Sequence, residues 1–441
     1  MSSSKLKTLL SLLFLIVLTG GIMLLNGSCN GCDSNPSDPN IKPGSDTVVV
    51  PPATLSQSVT EVWLDGSGSM KGYVNTQKSG QFKGIVSALC MNVRSKSCSG
   101  VGLYGLKLQP VEKYANFKER LEIKANDSPQ SIRWEQESNL AKMIEDAVAC
   151  ASKKPGKQPA PDKLVFLITD GIMSGNYQQI KSDAAYNKTE RVAMSNEIRG
   201  ILSRAKGVAI NVAQYHVPFN GIYYRYDNEK FELNEVNRPL YVIAIGNAHL
   251  VKEYVDKYVA PQNGITGSKA TLFAENNVTF GDVRMPYQLS MNSSELEKVK
   301  DRRFRFKRGQ DIEHVKLHIS LHKLPVFMRT KVYLSQNGHL QYKRNKGEYR
   351  NLDSKSCPME VVDNNQTLVY TLSKATASNT SFRFVLDYAL PNWIAISSTD
   401  DDKANYSPST TFNFSYFMDG LTGLNPDGYV NDFKLTEIII Q

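Results

Sequence analysis

Residues 62–70 run Val-Trp-Leu-Asp-Gly-Ser-Gly-Ser-Met. Three apolar residues ending at Asp65-Gly66 predict a short buried strand that stops in a tight loop. That loop carries one carboxylate, Asp65, and two hydroxyls, Ser67 and Ser69. Hard oxygen donors packed so closely suit a small divalent cation such as Mg²⁺, which takes six oxygens in a near-octahedral array. Three donors leave the array incomplete, so further oxygens must come from other loops at the same edge of a sheet.

Outward from this loop the chain alternates strand and helix. Phe82 to Val93 has helical spacing through Ile85, Val86, Leu89 and Cys90, and 101–111 reads as an extended pair of strands. Leu140–Ala151 returns to helical spacing, and Leu164–Ile168 is a continuous apolar run, as in a strand buried on both faces. A helix over 190–206 follows, then strands at Val208–Ala213 and Leu240–Ile245, then a helix bearing Leu250, Val251, Tyr254, Val255 and Tyr258 on one face. The fold class this predicts is α/β: an open, mostly parallel sheet flanked by helices, with 214–239 inserted between two core strands. Two loops reach the carboxyl edge where Asp65 lies. Asp170 follows the buried strand in Ile168-Thr169-Asp170-Gly171, and Ser138 precedes a helix in Glu137-Ser138-Asn139-Leu140. The candidate metal set is therefore Asp65, Ser67, Ser69, Ser138 and Asp170.

Asp65-Gly-Ser67-Gly-Ser69 also resembles the first segment of the metal-ion-dependent adhesion site of von Willebrand factor A (VWA) domains, Asp-x-Ser-x-Ser. The positions of Ser138 and Asp170 match the second and third segments, except that the family usually has Thr where this chain has Ser138. The resemblance covers 58–262. It implies Ser67, Ser69 and Ser138 as direct ligands of Mg²⁺ (Mn²⁺ or Ca²⁺ as alternatives), with Asp65 and Asp170 balancing charge. It also implies one coordination position left for an Asp or Glu of a protein partner.

Catalysis is not expected. A haloacid-dehalogenase-type phosphatase needs a second Asp two residues after the first, and that place is Ser67. Neither a Gly-x-Ser-x-Gly elbow nor a phosphate loop occurs. His314, His318 and His322 alternate with Val315, Leu317, Ile319 and Leu321, so they fall on a strand, where residues four apart lie ~13 Å from each other and cannot share one ion. Asp400-Asp401-Asp402 reads as an acidic surface turn. Net charge is +9, yet the densest basic cluster, Lys298–Arg308, alternates with Phe304 and Phe306 like a solvated strand, so no nucleic-acid partner is expected.

Lys5 and Lys7 precede an apolar stretch from Leu9 to Leu25, as in a bacterial export signal or signal anchor that sends the rest of the chain out of the cytoplasm. Cys29 after Leu25-Asn26-Gly27-Ser28 is a candidate lipidation site, and 30–57, rich in Asn, Ser, Asp and Pro, reads as a tether. In an oxidising compartment Cys98 has Cys90 or Cys150 as disulfide partners. Beyond about 265 strand-like runs dominate, among them 303–306, 315–321, 331–334, 367–372, 382–386, 410–416 and 434–440. The expected organisation is a signal peptide or anchor (1–28), a tether (29–57), a VWA domain (58–265) and an antiparallel, β-sandwich-like domain (266–441). The expected role is metal-dependent protein binding in the bacterial cell envelope, as a scaffold. The alternatives are a surface adhesin for a host or neighbouring-cell ligand and, more distantly, a metal-dependent phosphoesterase.

Overall fold

The computed structural model describes residues 54–91, 93, 95–123, 131–135, 139–152, 162–172, 184–205, 207–225, 229–259, 274–280, 288–290, 296–300, 303–308, 312–322, 324–344, 347–353, 355, 357–422 and 438–440. The expected anchor, Cys29 and Ser138 lie outside the described residues. Residues 52–441 form one compact unit.

The first sheet begins with β1 (Val59–Asp65), which runs into a 3-10 turn and the short helix α1 (Lys71–Asn75). Helix α2 (Gly80–Met91) leads to β2 (Ser97–Tyr104), and α3 (Leu140–Ala151) to β3 (Lys163–Thr169). Helix α4 (Ala184–Arg204) precedes β4 (Val208–Tyr224), β5 (Lys230–Asn247), α5 (Ala248–Tyr254) and, beyond residue 265, β6 (Asn276–Phe280). The strand order is β2-β1-β3-β5-β4-β6. Leu164 to Ile168 are all fully buried because each face of β3 has its own core. Phe82, Ile85, Val86 and Leu89 of α2 and Leu250, Val251 and Tyr254 of α5 cover one face with Val62, Leu64 and Phe166. Met143, Ile144 and Ala147 of α3 and Ile198 and Leu202 of α4 cover the other with Trp63, Val165 and Leu167. Asn139 caps α3 by accepting from the Lys142 amide, which satisfies one of the free amides of the first turn.

The sheet is only partly parallel. β1 pairs in parallel with β2 and β3, but β3/β5, β5/β4 and β4/β6 are antiparallel. For β5/β4 the cause is the segment read as an insertion. Residues 214–239 continue β4 and β5 into one long hairpin, paired from Val208↔Asn247 out to Tyr224↔Lys230. Consecutive strands joined by a short turn must run antiparallel, since a parallel return needs a crossover.

Two further sheets follow, made from β7 (Gln288–Ser290), β8 (Leu296–Lys300), β9 (Arg303–Phe306), β10 (His314–Ser320), β11 (Gly338–Arg344), β12 (Arg350–Asn351), β13 (Met359–Val362), β14 (Thr367–Ser373), β15 (Thr380–Leu386) and β18 (Ile438–Ile440). One has the order β13-β14-β10-β7 and the other β12-β11-β15-β18-β9-β8. Val315, Leu317, Ile319 and Leu368 of the first share a core with Leu340, Phe382, Phe384 and Ile438 of the second. All their pairings are antiparallel except β18 with β9. His314 and His318 lie on strand β10, and Arg303 and Arg305 alternate with part-buried Phe304 and Phe306, as the two periodicities predict.

Two expected strands are helical instead. Residues 331–334 begin helix α6 (Lys331–Asn337), started by Thr330, whose hydroxyl accepts from the Tyr333 amide. Residues 410–416 split into β17 (Thr411–Phe412), paired with β16 (Ser398–Thr399), and helix α8 (Phe414–Thr422), with Asn413 in left-handed backbone (φ 59) between them. Together with α7 (Asn392–Ile396), this segment returns to the first sheet: Ile394, Phe414, Phe417, Met418 and Leu421 join the core of α3 and α4. Packing therefore does not follow the line drawn at residue 265. Cys90, Cys98, Cys150 and Cys357 are free thiols.

Candidate functional site

At the carboxyl end of β1 the backbone turns sharply. The Gly66 amide bonds the Tyr104 carbonyl (2.7 Å) and the Gly66 carbonyl accepts from the Glu135 amide (2.8 Å), so the loop is pinned from both sides. Asp65 Oδ1 accepts from the Ser67 amide (2.9 Å), and Oδ2 from the Thr169 hydroxyl at the end of β3 (2.7 Å). Asp170 Oδ1 accepts from the Ile172 amide (3.2 Å), and the Ser69 hydroxyl also bonds this carboxylate. Both carboxylates are 3% exposed. Burial and the neighbouring Asp65 charge push the Asp170 carboxyl up to about 6, with Ser69 and Arg238 pulling the other way.

The Ser67 and Ser69 hydroxyl oxygens are 3.0 Å apart. Two adjacent ligands of an octahedral Mg²⁺ with bonds of 2.0–2.1 Å are separated by roughly that same ~3 Å. That is also the length of the hydrogen bond the two hydroxyls share, so the fit to a small hard cation lies in the donor chemistry and the charge rather than in the spacing. Four of the five residues expected from the sequence, Asp65, Ser67, Ser69 and Asp170, come together here. Ser138 lies outside the described residues; among the described ones, the backbone of Glu135 bridges to Ser67. Among the described residues no cluster of three His, Cys, Asp or Glu side chains suits a metal.

Other elements hold the edge in place. Gly72 of α1 packs so tightly on β4 that a Cβ there would stand 2.2 Å from the Phe219 ring. Gly171, at φ +71, lets the chain turn away from β3 where a Cβ would meet the Tyr241 ring at 2.8 Å. The C-terminal segment buttresses the same edge. Tyr241 donates to the Thr411 hydroxyl (3.2 Å), which donates to the Asp170 carbonyl (3.4 Å), and Tyr241 stacks on Phe414 with centroids 4.1 Å apart. Asp402 is not on a surface turn. It is fully buried and accepts from the Tyr223 hydroxyl (2.6 Å), because Tyr406 beside it stacks on Phe231 and packs on Tyr223.

No family model matches the chain, and neither a curated protein nor a solved structure matches it.

Thr169 and Arg238 are the neighbours of this site that motif reading missed. Thr169 was visible in Ile168-Thr169-Asp170-Gly171 as a hydroxyl at the strand end. Arg238 had a subtler signal: alternation with Leu240, Val242 and Ala244 puts it on a face that is otherwise entirely apolar.

Proposed function

We propose that this chain is a VWA-type, metal-dependent protein-binding component of the bacterial cell envelope. Mg²⁺ is held by Ser67, Ser69 and Ser138, with Asp65 and Asp170 supplying the balancing charge, and an Asp or Glu of the partner protein completes the coordination. The observation that carries the reading is the pair of buried carboxylates, Asp65 and Asp170, set beside the Ser67 and Ser69 hydroxyls with no basic side chain in contact among the described residues. Two like charges so deeply buried are costly unless a cation or a proton offsets them. The apolar stretch after Lys5 and Lys7, with Cys29 beyond it, supports a membrane tether facing away from the cytoplasm. A tether of about 28 residues gives limited reach, which favours a scaffold in an envelope assembly over a long-range adhesin.

The test uses the full-length chain purified in detergent. Mg²⁺ raises its melting temperature above that in EDTA, and Asp65→Ala removes the difference. Identical wild-type melting curves in Mg²⁺ and EDTA would sink the reading. Retention of a native envelope protein in Mg²⁺ and its release by EDTA, from wild type but not Asp65→Ala, then identifies the partner.

A further inference from the structure

Among the described cysteines, Cys90 and Cys98 are brought together from two different elements. Cys90 lies in the last turn of α2 and packs against the core on that face of the first sheet. Cys98 lies near the start of β2, in register with Thr60 of β1, whose hydroxyl bonds it. Side chains alternate along β1: Val62 belongs to the α2 core, while Trp63 belongs to the α3 core. Thr60, two residues before Val62, therefore faces α2, and Cys98 faces α2 with it. There the Cys90 and Cys98 thiols are hydrogen-bonded to each other.

The remaining described cysteines are held elsewhere. Cys150 belongs to α3 and packs against the opposite core, so the sheet stands between it and Cys98. Its thiol donates to Glu61 (3.7 Å) and accepts from Lys163 (3.6 Å), and burial with the Glu61 charge pushes it up. Cys357 is buried in the core shared by the two later sheets. A disulfide needs its two Cβ atoms within about 4.5 Å, which a thiol on the far face cannot meet. Of the two partners that the sequence leaves open for Cys98, the fold selects Cys90.

The shared hydrogen bond also makes the two thiols unequal. It draws the Cys98 thiol down to about 6 against the effect of burial, and it raises Cys90 far above the ordinary thiol range. Both side chains are part-exposed, so a reagent in solution reaches them. The attacking species in thiol–disulfide exchange is the thiolate, which Cys98 supplies at neutral pH. We propose that Cys98 and Cys90 form a reversible disulfide pair, in which Cys98 meets a disulfide oxidant and Cys90 resolves the mixed disulfide. Cys98 Sγ attacks one sulfur of the oxidant, and the other sulfur leaves as a thiolate. Cys90 Sγ then releases its proton to solvent and attacks Cys98 Sγ, expelling the second oxidant thiolate. The protein loses two electrons and the oxidant disulfide gains them, becoming two thiols. The bond ties β2, an edge strand of the first sheet, to the helix that covers it. This goes beyond the metal reading and does not depend on it.

The test exposes the reduced full-length chain, in detergent and freed of reductant, to oxidised glutathione. Free thiols are then alkylated, and the chain is digested with trypsin without reduction. Arg94 and Lys96 lie between the two cysteines, so these leave on separate peptides unless a disulfide joins them. Wild type yields the Cys90 and Cys98 peptides joined, with Cys150 and Cys357 alkylated. Cys90→Ser stops with glutathione on Cys98, whereas Cys98→Ser takes up glutathione at Cys90 at least roughly tenfold more slowly. Cys90 and Cys98 left unjoined in wild type, or Cys98 joined to Cys150, overturns the pairing, and this map needs no variant to fold. Glutathione addition at Cys90 of Cys98→Ser as fast as at Cys98 of Cys90→Ser overturns the assigned roles.

Discussion

The two ends of the first sheet bury acids in opposite ways. At the amino end of β1, Glu61 accepts from Lys163 at the amino end of β3 (2.7 Å) and from the Trp63 indole (3.2 Å). Burial pushes the Glu61 carboxyl up, but the Lys163 contact outweighs it and holds the group below its ordinary value. At the carboxyl end of the same two strands, Asp65 and Asp170 have amides and hydroxyls for partners and, among the described residues, no basic side chain in contact. The Arg238 charge acts on Asp170 from a distance. One end is internally paired and needs nothing further. The other carries two buried acids that its own contacts do not pair, and the proposed metal site rests on that imbalance.

The sharpest break is Asp170→Asn, with an expected effect on the order of 2 kcal/mol. It removes a buried like charge, so in EDTA at neutral pH the variant melts above wild type, while the Mg²⁺-dependent rise in melting temperature disappears. A metal-free variant less stable than wild type would mean that Asp170 is a structural acid like Glu61. The same contrast governs pH. Asp170 is raised from 3.8 to about 6, so between those values the folded protein keeps a proton that the unfolded chain has released. Metal-free stability from this group therefore falls as pH rises from about 4 to about 6. Glu61 works the other way: its contribution is present above its ordinary value of 4.5 and is lost as pH falls through its lower folded value. Unfolding in EDTA across this range, for wild type and Asp170→Asn, separates the two, because the variant loses the fall between about 4 and about 6 and keeps the Glu61 dependence.

Next in size is Lys163→Met, which leaves Glu61 buried without its cation. The expected loss is about 1–2 kcal/mol, less than for a fully buried pair because Lys163 is part-exposed. Its melting temperature falls, yet the Mg²⁺-dependent increment stays at the wild-type value. A reduced increment would show that the two ends are coupled through β1 and β3 and that the contrast between them is false.

The carboxyl-end residues were legible because strand ends are. Leu164 to Ile168 is apolar without a break, so Asp170 had to fall at its exit, and Val62 to Leu64 placed Asp65 likewise. Strand direction was not legible, since alternation is the same in parallel and antiparallel sheets. Tyr223, Tyr224 and several charges made 214–239 look like an insertion, although Val236, Arg238, Leu240 and Val242 already carried the period of a strand. Short apolar runs are ambiguous by nature: Val332-Tyr333-Leu334 suits a strand until Thr330 caps a helix. The docking of Phe414 on Tyr241 is a contact between distant segments, and nothing local in Thr410 to Tyr416 announces it.

Thr169→Val is the finest probe of the comparison, because Thr169 serves the site without belonging to the ligand set. Its hydroxyl donates to Asp65 Oδ2 and accepts from the Gly171 amide (3.0 Å), so one oxygen orients the carboxylate and the turn that carries Asp170. Valine keeps the shape and the strand preference, and the position is 1% exposed, so packing changes little. What is lost is orientation, worth about 1 kcal/mol, or roughly fivefold in Mg²⁺ affinity. If calorimetry finds that affinity unchanged while the melting temperature falls, the hydroxyl only ties the turn together, as the Trp63 indole ties Glu61 at the other end. If affinity falls and the metal-free melting temperature holds, the carboxyl end depends on preset geometry where the amino end depends on contact.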